Sequence, residues 1–177
     1  MPRNNPDAGG TGEADVFGGG TMPAVQRVAV FGLGYVGSVT AACLARMGHS
    51  VIGVDVSADK VDMINAGQSP VAEARLGGLV AEQVAAGRLC ATTDSACAVA
   101  NTDIALVCVG TPSAADGSLN TEFLERVSEQ IGAALVGRRQ RYTVVVRSTM
   151  LPATCEQIVL SSLQDASGRR VGEGLGL

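Results

Sequence analysis

Residues 28–55 read as strand, tight turn, helix, strand and acid, and this order constrains the fold more than anything else in the chain. Val28-Ala29-Val30-Phe31 is an apolar run that meets Gly32-Leu33-Gly34-Tyr35-Val36-Gly37, a glycine triplet spaced G-x-G-x-x-G. A helix-like stretch follows from Ser38 to Met47. Gly48-His49 breaks it, and a second apolar run, Val51-Ile52-Gly53-Val54, ends at Asp55. Each part has a physical role in holding a dinucleotide. Gly32 permits the turn out of the strand, Gly34 lets backbone approach a pyrophosphate, and Gly37 lets the helix pack close to the sheet. The free N–H groups and positive dipole end of the helix then face the phosphates. Asp55 stands where an acid reaches a ribose hydroxyl. The triplet alone says little in a chain with 23 glycines, so the surrounding strand–helix–strand–acid order carries the inference. An acid at Asp55 repels a 2′-phosphate. Val56, Ser57 and Ala58 supply no arginine to accept one, and Lys60 is the only nearby cation in the sequence. NAD is therefore expected rather than NADP.

The 177 residues leave room for one domain with one sizeable core. Aromatics make up only 3% and Trp is absent, so Ala, Val, Leu and Gly must do the packing, which suits helices lying close on a parallel sheet. A net charge of −4 gives no general basic field to attract nucleic acid or an anionic membrane. The small cluster Arg138-Arg139-Gln140-Arg141 is expected to be a solvated helix end. Cys43, Cys90, Cys97, Cys108 and Cys155 show no C-x-x-C spacing, and His49 is the one histidine, so no metal set is expected. An odd number of thiols behind an N-terminus without signal-peptide character suggests a reducing, cytoplasmic setting. No apolar run approaches membrane-spanning length.

Residues 1–26 are expected to form a flexible Gly-rich extension, with Met22 as an alternative start. The domain then runs from residue 27 to 177. Ser57 is placed as the cap of a short helix over Asp59–Ile64, and Leu76–Ala86 reads as another helix. Arg88–Thr92 is a short third strand, followed by Asp94 capping a brief helix, Ser95–Ala100. Asp103–Val109 is a nearly continuous apolar strand, as expected when both faces are buried. After Gly110-Thr111-Pro112 and a polar loop, Asn120 or Thr121 caps a helix through Val136. Phe123, Leu124, Val127, Ile131 and Leu135 share its apolar face. Thr143–Val146 is a strand, Pro152 starts a helix through about Leu163, and Val171–Leu177 begins a sixth strand at which the domain is expected to be truncated. The alternation predicts an α/β fold, a Rossmann-type doubly wound parallel sheet of about six strands. Ligands of such sheets sit outside the carboxyl ends of the strands, where Gly32–Gly37, Asp55, Thr111 and Ser148-Thr149 all fall. Thr111 and Thr149 are thus hydroxyl donors along a cofactor or turn residues bonding their own backbone.

Several of these stretches coincide in one pattern. Phe31–Gly37, Gly53-Val54-Asp55 with Lys60, Val109-Gly110-Thr111-Pro112 with Asp116-Gly117, and Val145-Val146-Arg147-Ser148-Thr149 together resemble the UDP-glucose/GDP-mannose dehydrogenase family. The run Tyr142–Pro152 is most similar to the GDP-mannose branch. The resemblance covers Arg27 to the C-terminus, all within the family's N-terminal NAD-binding domain. It implies NAD contacts at Tyr35 and Val36 through backbone, and at Asp55, Lys60, Thr111 and Thr149.

Members of the family oxidise the C6 alcohol of a nucleotide sugar to a carboxylate with two NAD. A cysteine captures the aldehyde and passes through a thioester that water hydrolyses. That cysteine and its Lys, Asn and Asp helpers lie beyond the NAD-binding domain in the family. No catalytic residue is therefore assigned here: none of the five cysteines occupies the catalytic motif, and Cys43, Cys108 and Cys155 are read as packing residues. The chain alone is expected to be inactive, and a nucleotide sugar is a partner only of a full-length enzyme. Ala153 stands where the family usually has Gly and Ala74 where Pro is common; local adjustment is expected at both. UDP-glucose as substrate and a non-catalytic NAD- or partner-binding module, including a homodimer, remain alternatives. A 3-hydroxy-acid type of dehydrogenase fits the combined motifs less well.

Overall fold

The computed structural model describes residues 24–112 and 119–177. The expected extension over residues 1–26 thus lies outside the described residues, apart from Ala24, Val25 and Gln26, and so do Asp116 and Gly117. The apolar runs form six parallel strands: β1 (Arg27–Phe31), β2 (Ser50–Val54), β3 (Leu89–Thr92), β4 (Ile104–Val107), β5 (Tyr142–Val146) and β6 (Leu175–Gly176). Their order across the sheet is β3-β2-β1-β4-β5-β6, with every neighbouring pair parallel.

Between them lie α1 (Tyr35–Arg46), α2 (Ala58–Asn65), α3 (Leu76–Ala85), α4 (Ser95–Ala100) and α5 (Glu122–Ala134). A π-helical segment, Cys155–Leu160, runs on into α6 (Ser161–Ser167). Because side chains alternate along a strand, the sheet feeds two cores. Val28, Val30, Val51 and Leu89 pack with Ala41, Ala42 and Ala45 of α1, Val61 and Ile64 of α2 and Val80 of α3. On the other face Ala29, Phe31, Ala105, Val107 and Val144 pack with Ala98 and Val99 of α4, Leu124 and Ile131 of α5, and Leu163 of α6. Small residues do set the spacing. A Cβ at Gly132 would stand 2.7 Å from the Cβ of Ala166, so α5 and α6 meet almost backbone to backbone. This is the expected doubly wound fold, with the chain reversing direction across the sheet between β1 and β4.

Three local readings are corrected. First, α1 opens at Tyr35 rather than Ser38, so Gly37 lies inside the helix. Secondly, Pro152 does not start a helix. Ala153 has φ 68°, in the left-handed region, so helical backbone cannot pass through it, and regular structure resumes only afterwards. Left-handed backbone costs an L-residue about 1–2 kcal/mol. Ala153→Gly relieves that strain and gives back part of the gain as extra unfolded-chain entropy. It is expected to stabilise the fold by about 0.5–1 kcal/mol, read as a higher urea midpoint at unchanged slope.

Thirdly, Arg138 is not a solvated helix end. Its guanidinium donates to the carbonyls of Val99 (2.6 Å) and Thr102 (2.7 Å), pairs with Asp103 at 3.1 Å, and lies 5.0 Å from the centre of the Tyr142 ring. It closes the carboxyl end of α4, where unpaired carbonyls and the helix dipole favour a cation. Tyr142 itself is fully buried and shares a 3.0 Å hydrogen bond with the Thr102 hydroxyl; burial pushes its pKa up to about 12. Arg27 also reaches Asp103, at 2.8 Å, and with Arg138 holds its carboxyl below the usual carboxylate range.

Candidate functional site

The switch point between β1 and β4 opens a cleft of about 360 Å³ at the carboxyl ends of β1, β2 and β4. Chain reversal there leaves a crevice that no helix fills. Gly32, with φ 94°, turns the chain out of β1, and its N–H donates to Val54 O at 2.7 Å, tying the loop to β2. Leu33 then buries its side chain beneath β2, where a Cβ at Gly53 would come within 2.8 Å of it. That contact explains the glycine in the middle of a strand.

Gly34 precedes α1 with no side-chain cap, and no acid occupies the first turn. The first intrahelical bond at this end is from Ser38 N–H to Gly34 O, 2.9 Å. The N–H groups of Tyr35, Val36 and Gly37 therefore come before the helix's own hydrogen-bond ladder. A Cβ built on Gly34 meets nothing within 4 Å, whereas one on Gly37 would lie 1.7 Å from Gly32 O. The two glycines thus serve different ends: Gly37 seals the loop against the helix, and Gly34 leaves open space in front of it. An uncapped helix N-terminus facing open space fits an anionic ligand such as a pyrophosphate.

Asp55 follows directly on β2 and accepts three hydrogen bonds. They come from Leu33 N–H (2.7 Å), Ser57 N–H (3.0 Å) and the Lys60 ammonium (3.2 Å). Ser57 holds the cap position of α2 as expected, but its side chain makes no capping bond. Gly32, Gly34, Asp55 and Lys60 line the cleft together. Tyr35 and Val36 are exposed on the first turn of α1, and the Tyr35 hydroxyl donates to Glu73, which raises the tyrosine's pKa.

Thr111 and Thr149 lie outside the cleft wall but beside each other. The Thr111 hydroxyl donates to Thr149 O at 2.6 Å, and Ser148 Oγ donates to Val109 O at 2.7 Å. These two bonds join the loops after β4 and β5. The Thr111 proton is therefore spent on a neighbouring loop, neither on its own turn nor free for a ligand.

Cys108 also lines the cleft. Burial pushes its thiol pKa up against the lowering effect of Arg147 beside it, so it is a thiol rather than a nucleophilic thiolate. Cys155 packs half-buried against the core, as expected, while Cys90 and Cys97 are exposed.

The sequence reading missed the far wall. Thr93 from the β3–α4 turn, Ser95 at the start of α4, and Phe123, Arg126, Val127 and Gln130 from α5 complete the cleft. Ser95 Oγ donates to Gln130 Oε1 at 3.0 Å and ties the two elements together. Phe123, read as a core residue, is half exposed and faces the cleft. The available signal was the second stripe Phe123, Val127, Gln130, one step off the core stripe Leu124, Ile131, Leu135. Among the described residues no helix is long and apolar enough to cross a membrane, and no three His, Cys, Asp or Glu side chains cluster as a metal site.

A doubly wound parallel sheet, an uncapped glycine-loop helix at its switch point and an acid closing the second strand define a dinucleotide-binding Rossmann domain. The chain belongs to the UDP-glucose/GDP-mannose dehydrogenase family, whose NAD binding domain it matches over residues 26–175; its cofactor is NAD. It is 49% identical over 152 residues to a GDP-mannose 6-dehydrogenase of Azotobacter vinelandii, a match that covers 86% of this chain and 35% of the relative. A UDP-glucose 6-dehydrogenase of Haloferax volcanii is 37% identical over 150 residues, covering 85% of this chain and 34% of that protein. The solved ternary complex of a GDP-mannose dehydrogenase from Pseudomonas aeruginosa superposes with a TM-score of 0.84 at 47% identity, over 85% of this chain and 34% of that one. The chain spans about a third of the length of these relatives.

Proposed function

We propose that this chain is the NAD-holding part of a nucleotide-sugar 6-dehydrogenase that oxidises the C6 alcohol of GDP-mannose to the carboxylate. The observation that carries the cofactor half is the open space before Gly34, bounded by the α1 N-terminus and by Asp55. GDP-mannose is favoured over UDP-glucose by the higher identity to GDP-mannose enzymes. Gly32, Gly34 and Gly37 with the Tyr35 and Val36 N–H groups would hold the pyrophosphate. Asp55 and Lys60 would hold the adenosine ribose. Thr111 would act through its oxygen's lone pairs, and Thr149 through its hydroxyl, further along the dinucleotide. When bound, NAD supplies a hydride acceptor. This chain's residues bind and orient it, and the thiol that captures the sugar aldehyde belongs to the part of the relatives beyond this match.

Calorimetric titration of the chain with NAD tests the reading. Saturable binding is expected, and NAD at a hundred times its Kd should raise unfolding stability by about 2.7 kcal/mol. With GDP-mannose and NAD together the chain alone is expected to form no NADH. Turnover would show that the catalytic thiol is within it, and failure to bind NAD would leave a partner-binding module as the surviving reading.

A further inference from the structure

The cleft holds a charge that the local sequence does not reveal. Lys60, the cation next to Asp55 in the chain, is spent on it at 3.2 Å, and the Asp55 side chain is only 8% exposed. Both carboxylate oxygens already accept backbone N–H groups. The acid's repulsion of an incoming anion is therefore largely answered from within the protein. Arg126 comes from α5, far along the chain, and lines the same cleft. Among the described residues the ion pairs within 4.0 Å join Arg27 and Arg138 to Asp103 and Lys60 to Asp55, so none involves Arg126. Glu122, Glu125 and Glu129 share its helix, but none of them lines the cleft. The cleft's charged lining is thus one acid and two cations, with the guanidinium as the surplus.

We infer that Arg126 is a specificity-determining residue that gives this chain a second, weaker ligand, NADP, by offering its guanidinium to the 2′-phosphate. The inference rests on the cofactor reading above. A guanidinium presents paired N–H donors that match phosphate oxygens, and a phosphate monoester carries about −1.5 to −2 charge at neutral pH. NAD has a hydroxyl at that position and gains far less from the same cation.

The test titrates the full chain with NAD and with NADP, as wild type, Arg126→Gln and Arg126→Glu, at two salt concentrations. Arg126 is exposed, and matching thermal melts establish that the variants fold. Wild type is expected to bind NAD more tightly and NADP measurably, with the NADP affinity falling more steeply with salt. Arg126→Glu should widen the NAD-to-NADP ratio by about tenfold, as expected for reversing one charge near a phosphate at moderate screening, with Arg126→Gln intermediate. NAD binding with no detectable NADP binding, or an unchanged ratio in both variants, overturns the inference and leaves the cofactor reading standing. Failure to bind either dinucleotide overturns both.

Discussion

Gly37→Ala is expected to abolish measurable NAD binding and to destabilise the fold by about 3 kcal/mol or more. Helix propensity alone gives the opposite sign, since Ala in a helix interior is favoured over Gly by about 1 kcal/mol. Position decides the matter. The added Cβ would stand 1.7 Å from Gly32 O and 2.9 Å from Gly32 C, both backbone atoms that no side-chain rotation can clear. Either α1 lifts from the loop or Gly32 gives up its 2.7 Å bond to Val54 O. Both routes move the helix N-terminus proposed to hold the pyrophosphate. Gly34→Ala is the control, because its Cβ meets no protein atom within 4 Å. That variant should melt within about 0.5 kcal/mol of wild type, as an uncrowded surface change does, and still weaken NAD because it fills the open space. Equal melting of the two variants, or NAD binding retained by Gly37→Ala, would refute the division of roles between these glycines.

The contrast shows what could be read from the sequence. The glycine spacing and the apolar strands were legible because backbone approach and two-sided burial each demand particular residues at particular steps. Asp94 as the cap of α4 was legible for the same reason, and its carboxylate does accept from Cys97 N–H at 2.9 Å. Features that depend on two distant segments were not. Arg138 looked like one of three surface arginines, since the carbonyls it closes, Val99 and Thr102, lie more than thirty residues away. Phe123 fitted the apolar stripe and Arg126 carried no signal, because only the fold brings α5 and the carboxyl end of β2 to one cleft. Lys60 was visible as the nearby cation but was a cofactor contact only by family resemblance; the structure pairs it with Asp55 at 3.2 Å. At Ala153 the proline signal for a helix start was overruled by a left-handed turn that a non-glycine residue does not announce.

Asp55→Asn is expected to cost nearly as much as Asp55→Ala, both in stability and in NAD binding. If the carboxylate met only a ribose, the isosteric amide would leave the fold untouched. Here Oδ2 accepts from Leu33 N–H at 2.7 Å and Oδ1 from Ser57 N–H at 3.0 Å, so both oxygens are acceptors within the protein. An amide has one acceptor oxygen, and its NH₂ must then point at a backbone N–H or at the Lys60 ammonium. Leu33 is fully buried, and leaving its N–H unpaired costs about 1–3 kcal/mol. Each variant should therefore lose about that much in urea unfolding and bind NAD at least about tenfold more weakly. The expected loss in affinity has two sources, removal of the proposed ribose acceptor and a glycine loop no longer held to β2. Lys60→Met separates them. It removes the ammonium and leaves both backbone bonds in place, so stability should change by less than about 1 kcal/mol, as for other half-exposed ion pairs. Should Asp55→Asn melt with wild type while NAD binding is lost, the carboxylate would be a ligand contact alone, and the loop would owe its shape to the glycines without it.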